Sequence, residues 1–295
     1  MIATNRSFIF SVLVVLFSIG LFLNGCGNSD TSSDEQTFVV GAIPDQNVSD
    51  LNRRFELFSK YLEKQTGLNV EYVPSNSYSA LVQGFRRGEV HLGWFGGLTG
   101  VQARSAVPGS EAIAQRKRDE NFHSKFIART ELEINELSDL QGKTFTFGSE
   151  SSTSGHLMPR HYLMQNGINP EEDFSGEPNY SGSHDRSWQL VEAGSFDAGA
   201  LNEAVWQRAV EEGQVDTDKV EAFWTTPSYY DYNWTIHGDV NEIFGDNTKQ
   251  SIREALINLE DEEIMKLFAG EQFIASRNQN YKSIHDVAEE LGIIQ

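Results

Sequence analysis

Ser149, Ser151, Ser152, Thr153 and Ser154 put five hydroxyl groups into six residues, with Glu150 among them. Before them, Lys143-Thr144-Phe145-Thr146-Phe147 alternates as a strand does; after them, His156-Leu157-Met158 and Tyr162-Leu163-Met164 place apolar groups at helical spacing. The run therefore falls on a strand-to-helix turn. The first turn of a helix carries N–H groups with no internal partner and a partial positive charge, so it favours an anion. A hydroxyl at such a place most often only caps the helix, and one is enough for that. Five exceed the need, and the surplus points to donors for a bound anion. Pro159 cannot donate a hydrogen bond, which predicts an irregular helix start with less committed amides.

A second chemical possibility uses the same residues differently. Ser154, His184 and Asp185 are the residue types of a nucleophile, a base and its orienter, which would make a hydrolase of small phosphate or acyl esters. Adjacent His and Asp on one helix start do not readily form the required chain of hydrogen bonds, and no G-x-S-x-G elbow surrounds any serine. The seven histidines are scattered without H-E-x-x-H spacing, and the only cysteine is Cys26. The expectation is a binding protein without metal or cofactor, not an enzyme.

The chain has 295 residues and 39% hydrophobic content, enough for a large core in one or two α/β units. Its first segment is of another kind. Arg6 precedes an apolar run of sixteen residues, Phe8 to Leu23, short for a membrane span and suited to an export signal. That run ends in Leu23-Asn24-Gly25-Cys26, followed by a polar stretch to Gln36 that reads as a tether. Without residues 1–25, 22 basic residues face 43 acidic ones, a net charge of −21. Such a surface repels nucleic acid and anionic lipid headgroups. It also repels anionic ligands at long range, so local donors must overcome that field.

The elements that position these residues follow in order. Phe38 to Ile43 reads as a buried strand, then Leu51, Phe55, Phe58 and Leu62 mark an amphipathic helix with Ser49 as its cap and Gly67 as its stop. Val70 to Val73 completes a β-α-β unit with parallel neighbours. Ser77 opens a further helix leading to the strand Val90 to Phe95, and Gly96-Gly97 allows close backbone approach where the next helix starts. Ala112–Gln115 and Phe122–Ala128 read as strands around a charged turn, and Lys143 starts a second α/β unit. Gly88 to Trp94 and Gly194 to Ala200 share the arrangement helix, Gly, apolar at the second and fourth places, Gly at the fifth, as two similarly built lobes would. Ser183 is a candidate cap, Glu203 starts another helix, and Thr235 to His237 reads as a strand returning to the first lobe.

Ile43-Pro44-Asp45-Gln46, Trp94 to Arg104, Phe145 to Pro159, Gly182 to Asp185, Gly199 to Glu203 and Tyr229 to Trp234 together resemble substrate-binding proteins of ABC importers in the phosphonate and phosphite branch, over nearly all of the mature chain. The selenate-binding sub-branch is the most similar. Gly25-Cys26 likewise resembles the lipobox of bacterial lipoproteins, with Asn24 unusual for it, and implies lipidation at Cys26. The resemblance implies a two-lobed periplasmic-binding fold of type II character: residues 37–128 plus 230–295 as lobe one, 129–229 as lobe two, and the ligand in the cleft. It implies an extracytoplasmic, lipid-anchored protein that closes on a small tetrahedral oxyanion and is read by a permease and its ATPase. A lobe that signals to a membrane sensor remains open beside transport. The site residues implied are Tyr78, Trp94, Phe95, Gly96, Ser152, Thr153, Ser154, His184, Asp185, Glu203, Tyr230 and Asp231. Trp94 stands where relatives often carry Tyr, which makes the wall bulkier and removes a hydroxyl.

Chemistry separates the candidate anions. Phosphate, phosphite and phosphonates can carry a proton near neutral pH and benefit from an acceptor. Selenate and sulfate are fully ionised, so a desolvated carboxylate aimed at them is repulsive by several kcal/mol. The deciding question is where Asp185, Glu203 and Asp231 point.

Overall fold

The computed structural model describes residues 36–294, so Cys26 and the tether lie outside the described part. β1 (Phe38–Ala42) leads into α1 (Val48–Thr66), whose Leu51, Phe55, Phe58 and Leu62 are all buried as their spacing requires. Its cap is Asn47, whose side chain accepts from the Ser49 amide; Asn and Ser cap equally well, so apolar spacing could not choose between them. Gly67 ends the helix at φ 73°, in the left-handed region that a side chain disfavours. β2 (Val70–Pro74), α2 (Tyr78–Arg86, capped by Ser77), β3 (Leu92–Phe95), α3 (Gly97–Ala106) and β4 (Glu111–Arg116) follow.

A 3-10 turn at Lys117–Asn121 then carries the chain away from this sheet. β5 (Ser124–Arg129), expected in lobe one, instead pairs antiparallel with two strands of a second sheet. The lobe boundary therefore falls before Ser124 and not after Ala128. Two apolar runs around a charged turn read as a hairpin, but Arg116 and Asp119 in that turn form a buried ion pair at 2.6 Å and redirect the chain. The second lobe continues through β6 (Phe145–Phe147), a π-helical turn at Thr153–Leu157, α4 (Met158–Gln165), α5 (Pro170–Asp173), β7 (Asn179–Tyr180), α6 (His184–Glu192), β8 (Ala198–Asn202), α7 (Glu203–Glu211) and β9 (Val220–Thr225).

The chain then returns. β10 (Asn233–Ile236) inserts antiparallel between β3 and β4, and β11 (Phe273–Ala275) adds to the outer side of β4. The sheets run β11-β4-β10-β3-β1-β2 and β7-β6-β8-β5-β9. Helices α8 (Val240–Phe244), α9 (Thr248–Ile257), α10 (Glu262–Leu267) and α11 (Lys282–Glu290) complete lobe one. Two segments, 117–123 and 226–232, join the lobes and are tied together where Phe122 and Tyr229 exchange backbone hydrogen bonds of 2.9 and 3.0 Å. Trp234 stacks on Phe58 at 4.5 Å and meets Trp94 at 5.1 Å, so the returning strand is anchored in the aromatic core of lobe one. Among the described residues, no helix is long and apolar enough to cross a membrane.

Candidate functional site

The hydroxyl run sits at the start of an irregular helix, as Pro159 predicts: one π turn precedes α4, and Pro159 lies in the first turn of α4. Ser152 caps it, its Oγ accepting from the Gly155 amide at 2.9 Å. Ser152, Thr153 and Ser154 are all buried. A Cβ at Gly155 would be crowded, lying 3.0 Å from Gly148 Cα and Ser152 Oγ and 3.1 Å from the His184 ring.

From the other lobe, the start of α3 approaches the same point. Its cap is Gly96, which has no side chain to satisfy the first amides. Gly97 N–H donates to Asp231 Oδ1 at 2.9 Å, and Leu98 N–H donates to Thr153 Oγ1 at 2.9 Å across the cleft. A Cβ at Gly96 would lie 3.1 Å from Thr153 Oγ1 and 3.3 Å from Asp231 Oδ1, so the double glycine admits this contact. Asp231 belongs to the crossing segment 226–232 and is buried, yet its Oδ2 has no hydrogen-bond partner of good geometry. Burial pushes its carboxyl up to about 7, against the lowering effects of the Gly97 amide and the Thr153 and Ser154 hydroxyls. The buried Tyr78 hydroxyl, at the start of α2, is likewise without a partner of good geometry, with Ser152 close by.

His184 begins α6, capped by Ser183 as its sequence suggests. Burial lowers its ring to about 4, opposed by Asp45, so it is neutral at physiological pH. Its Nδ1 accepts from the Asn202 amide at 3.3 Å, which assigns the proton to Nε2 and makes that nitrogen a neutral donor. Nε2 lies 3.5 Å from the Tyr232 hydroxyl, which donates to Asp45 Oδ2 at 2.7 Å and accepts from Asn202 Nδ2 at 2.9 Å.

The cluster thus unites Tyr78, Gly96, Ser152, Thr153, Ser154, His184 and Asp231. Other expected residues stand elsewhere. Asp185 accepts from the Asn47 amide at 2.8 Å and bridges the lobes beside α1. Glu203 pairs with Lys125 at 3.1 Å. Phe95 packs on Phe85 in the lobe-one core, because strand alternation turns it away from the face that carries Trp94. Trp94 is buried, stacks on Tyr232 at 5.4 Å and forms the wall behind it. Tyr230 packs against Tyr281 and contributes its backbone near Gly97. Asp45, Asn202 and Tyr232 join the cluster without having been expected there from the sequence. Asp45 and Asn202 each lie at the carboxyl end of a parallel strand, where open α/β sheets place ligands, and that position could have flagged them.

The hydrolase arrangement is not formed. His184 Nδ1 takes a backbone amide in place of a carboxylate, and Asp185 is engaged with Asn47. The two lobes meet here, and hydroxyl groups, helix-start amides and one carboxyl group are gathered in one buried cluster.

Comparisons with known proteins show the family. Residues 40–281 match the family described as the periplasmic substrate-binding protein of the phosphonate ABC transporter. The chain is 40% identical, over 91% of its length and 94% of the relative's, to a probable ABC transporter phosphite binding protein, PhnD1, of Prochlorococcus marinus. It is 30% identical to the phosphate-import protein PhnD of Mycolicibacterium smegmatis, over 70% of each chain. The structure of Prochlorococcus marinus PhnD1 in complex with methylphosphonate matches with a TM-score of 0.86 and 41% identity, over 88% of this chain and all of that one. The chain belongs to the periplasmic substrate-binding proteins of phosphonate ABC transporters, the extracytoplasmic components that capture ligand for a permease and its ATPase.

Proposed function

We propose that this protein binds a small phosphorus oxyanion that brings its own proton, of the phosphite or methylphosphonate kind, and that Asp231 accepts that proton. The observation that carries the reading is the buried Asp231 Oδ2, without a partner of good geometry and beside the Thr153 and Ser154 hydroxyls. The hydroxyls of Tyr78, Ser152, Thr153 and Ser154 and His184 Nε2–H supply donors to the ligand oxygens. One proton shared between ligand and Asp231 keeps two negative charges from meeting in a desolvated site. Selenate and sulfate carry no proton, so they bind only when Asp231 is itself protonated. Their affinity should fall about tenfold for each pH unit above 7. The relatives named for phosphite and phosphate import and the methylphosphonate complex support this choice.

The test is calorimetric titration of ligand-stripped protein, from Gly27 onward, with phosphite, methylphosphonate, phosphate, sulfate and selenate at pH 6 and 8. Tight phosphite or methylphosphonate binding, with sulfate and selenate weak at pH 8, is expected. Equal or tighter selenate binding at pH 8 would return the site to the selenate reading. Attachment to the membrane through Cys26 belongs to the same proposal. Labelling with a fatty-acid analogue, abolished by Cys26→Ala, checks it.

A further inference from the structure

A cavity lies in the cleft beside the oxyanion cluster, lined from lobe one by Asp45, Gln46, Arg54, Trp94, Arg116 and Tyr232, and from lobe two by Asn202 and Arg208 among others. It has room for one water-sized body, about 10 Å³. Tyr232, Asp45 and Asn202 line it and are hydrogen-bonded to one another or to the oxyanion cluster, so they stand between the two spaces.

Its three arginines are not served alike. Arg116 is consumed by Asp119, which takes its Nε at 2.8 Å and Nη2 at 2.6 Å, and by the Phe268 carbonyl at 2.6 Å. Arg54, from α1, and Arg208, from α7, are different. Among the described residues, their one hydrogen-bond acceptor is the same neutral atom, Gln46 Oε1, reached by Arg54 Nη2 at 3.4 Å and by Arg208 Nη2. Arg54 is 4% exposed and its Nε has no partner. Asp45 faces the same space and acts on Arg54, and Asp185 acts on Arg208, but neither carboxylate accepts a hydrogen bond from these two guanidinium groups, whose donors meet at one neutral oxygen. Burial and the neighbouring Arg208 and Arg116 disfavour the Arg54 cation, while Asp45 favours it. Two guanidinium groups, one from each lobe, converging on a neutral oxygen form a site for a small anion.

We propose that this cavity is a second anion site that takes a chloride ion between Arg54 and Arg208 when the Gln46 side chain, which holds the point between them, turns aside to make room, and that the anion strengthens lobe closure and so the binding of the primary ligand. The inference rests on the cleft-binding function above but concerns a different space. Because each guanidinium comes from a different lobe, the anion binds the closed form better than the open one and is positively coupled to the oxyanion.

Methylphosphonate affinity is measured in chloride and in gluconate at equal ionic strength, for wild type, Arg208→Gln and Gln46→Glu, with melting temperature in both salts without phosphonate. Coupling of this kind predicts an affinity at least about fivefold higher in chloride for the wild type. The wild-type melting temperature should also be higher in chloride. Arg208→Gln should bind methylphosphonate with no chloride effect. Gln46→Glu places a carboxylate between the two guanidinium groups and should bind tightly in either salt. No chloride effect on the wild type would mean that a bridging water fills the cavity and would overturn the proposal, as would a chloride effect that persists in Gln46→Glu. Weaker binding in chloride, with no rise in melting temperature, would mean only competition at the oxyanion cluster and would also overturn it. Should methylphosphonate fail to bind in either salt, the primary ligand assignment falls, while the melting temperatures still decide on the cavity.

Discussion

Two helix starts meet at Thr153 and Asp231, and they satisfy their free amides in opposite ways. The lobe-two start is capped from within, Ser152 bonding to the Gly155 amide of its own turn. The lobe-one start has no cap of its own; the Gly97 and Leu98 amides are taken by Asp231 on the crossing segment and by Thr153 of lobe two. Opening the cleft costs the first start nothing and exposes the second. Lobe two thus presents a prepared surface, while α3 is completed by closure. Selectivity and closure converge on Asp231, which accepts from α3 and stands ready for the ligand's proton.

Removing Asp231 should break this comparison most severely. Its pKa is raised from 3.8 to about 7 by burial, so the folded protein holds that proton more tightly than the unfolded chain. The stability it contributes is present below about pH 4 and is lost as pH rises towards 7. His184 acts in the opposite sense: lowered from 6.5 to about 4, it costs stability as pH falls through that window. Both proteins keep His184, so the difference between wild type and Asp231→Asn isolates the carboxyl. Relative to Asp231→Asn, the ligand-free wild type should lose up to about 4 kcal/mol between pH 4 and 8 in denaturant titrations. A flat difference would mean that Asp231 titrates normally.

The same variant should bind methylphosphonate roughly a hundredfold more weakly at pH 7, while sulfate and selenate bind more tightly, because a charged acceptor is replaced by a neutral amide. Thr153→Ala and Ser154→Ala should each weaken binding at least about tenfold, each removing a donor to charge. Thr153→Ala also removes the acceptor of the Leu98 amide, so it should speed ligand release more than Ser154→Ala does in stopped-flow traces. Gly96→Ala sharpens the comparison from the other side. Its Cβ would lie 3.1 Å from Thr153 Oγ1 of the other lobe, so a loss of a few fold in affinity with little change in melting temperature is expected. A large drop in melting temperature would place the strain in the open protein as well.

Much of this was legible in the sequence because it rests on local patterns. Alternation and three- and four-residue spacing mark β1, α1, β2 and α2, and a hydroxyl-rich turn before Pro159 marks the irregular helix start. What was not legible depends on pairing at a distance. β5 looks like the second arm of a hairpin until Arg116 and Asp119 are seen buried together. Glu203 and Asp185 have the composition of site residues but are claimed by Lys125 and the Asn47 amide. Asp45 reaches the site through Tyr232, 187 positions away, a relation that no spacing rule contains. Phe95 could have been excluded, since it alternates with Trp94 along β3 and both cannot face the cleft.

The place of β10 has a consequence for the order in which the protein assembles. Lobe one's sheet lacks a central strand until residue 236 exists, because β10 alone joins β3 to β4, whereas everything lobe two pairs lies between residues 124 and 225. An emerging chain can therefore complete its second lobe first and must hold the larger lobe unfinished across more than a hundred residues of intervening chain. Trp94 and Trp234 report on one lobe, and Trp188, Trp206 and Trp224 on the other, so refolding of tryptophan variants should show the second group settling before the first. The larger lobe's sheet cannot be completed until synthesis is nearly over, and a lobe not yet completed can still be threaded through a narrow pore.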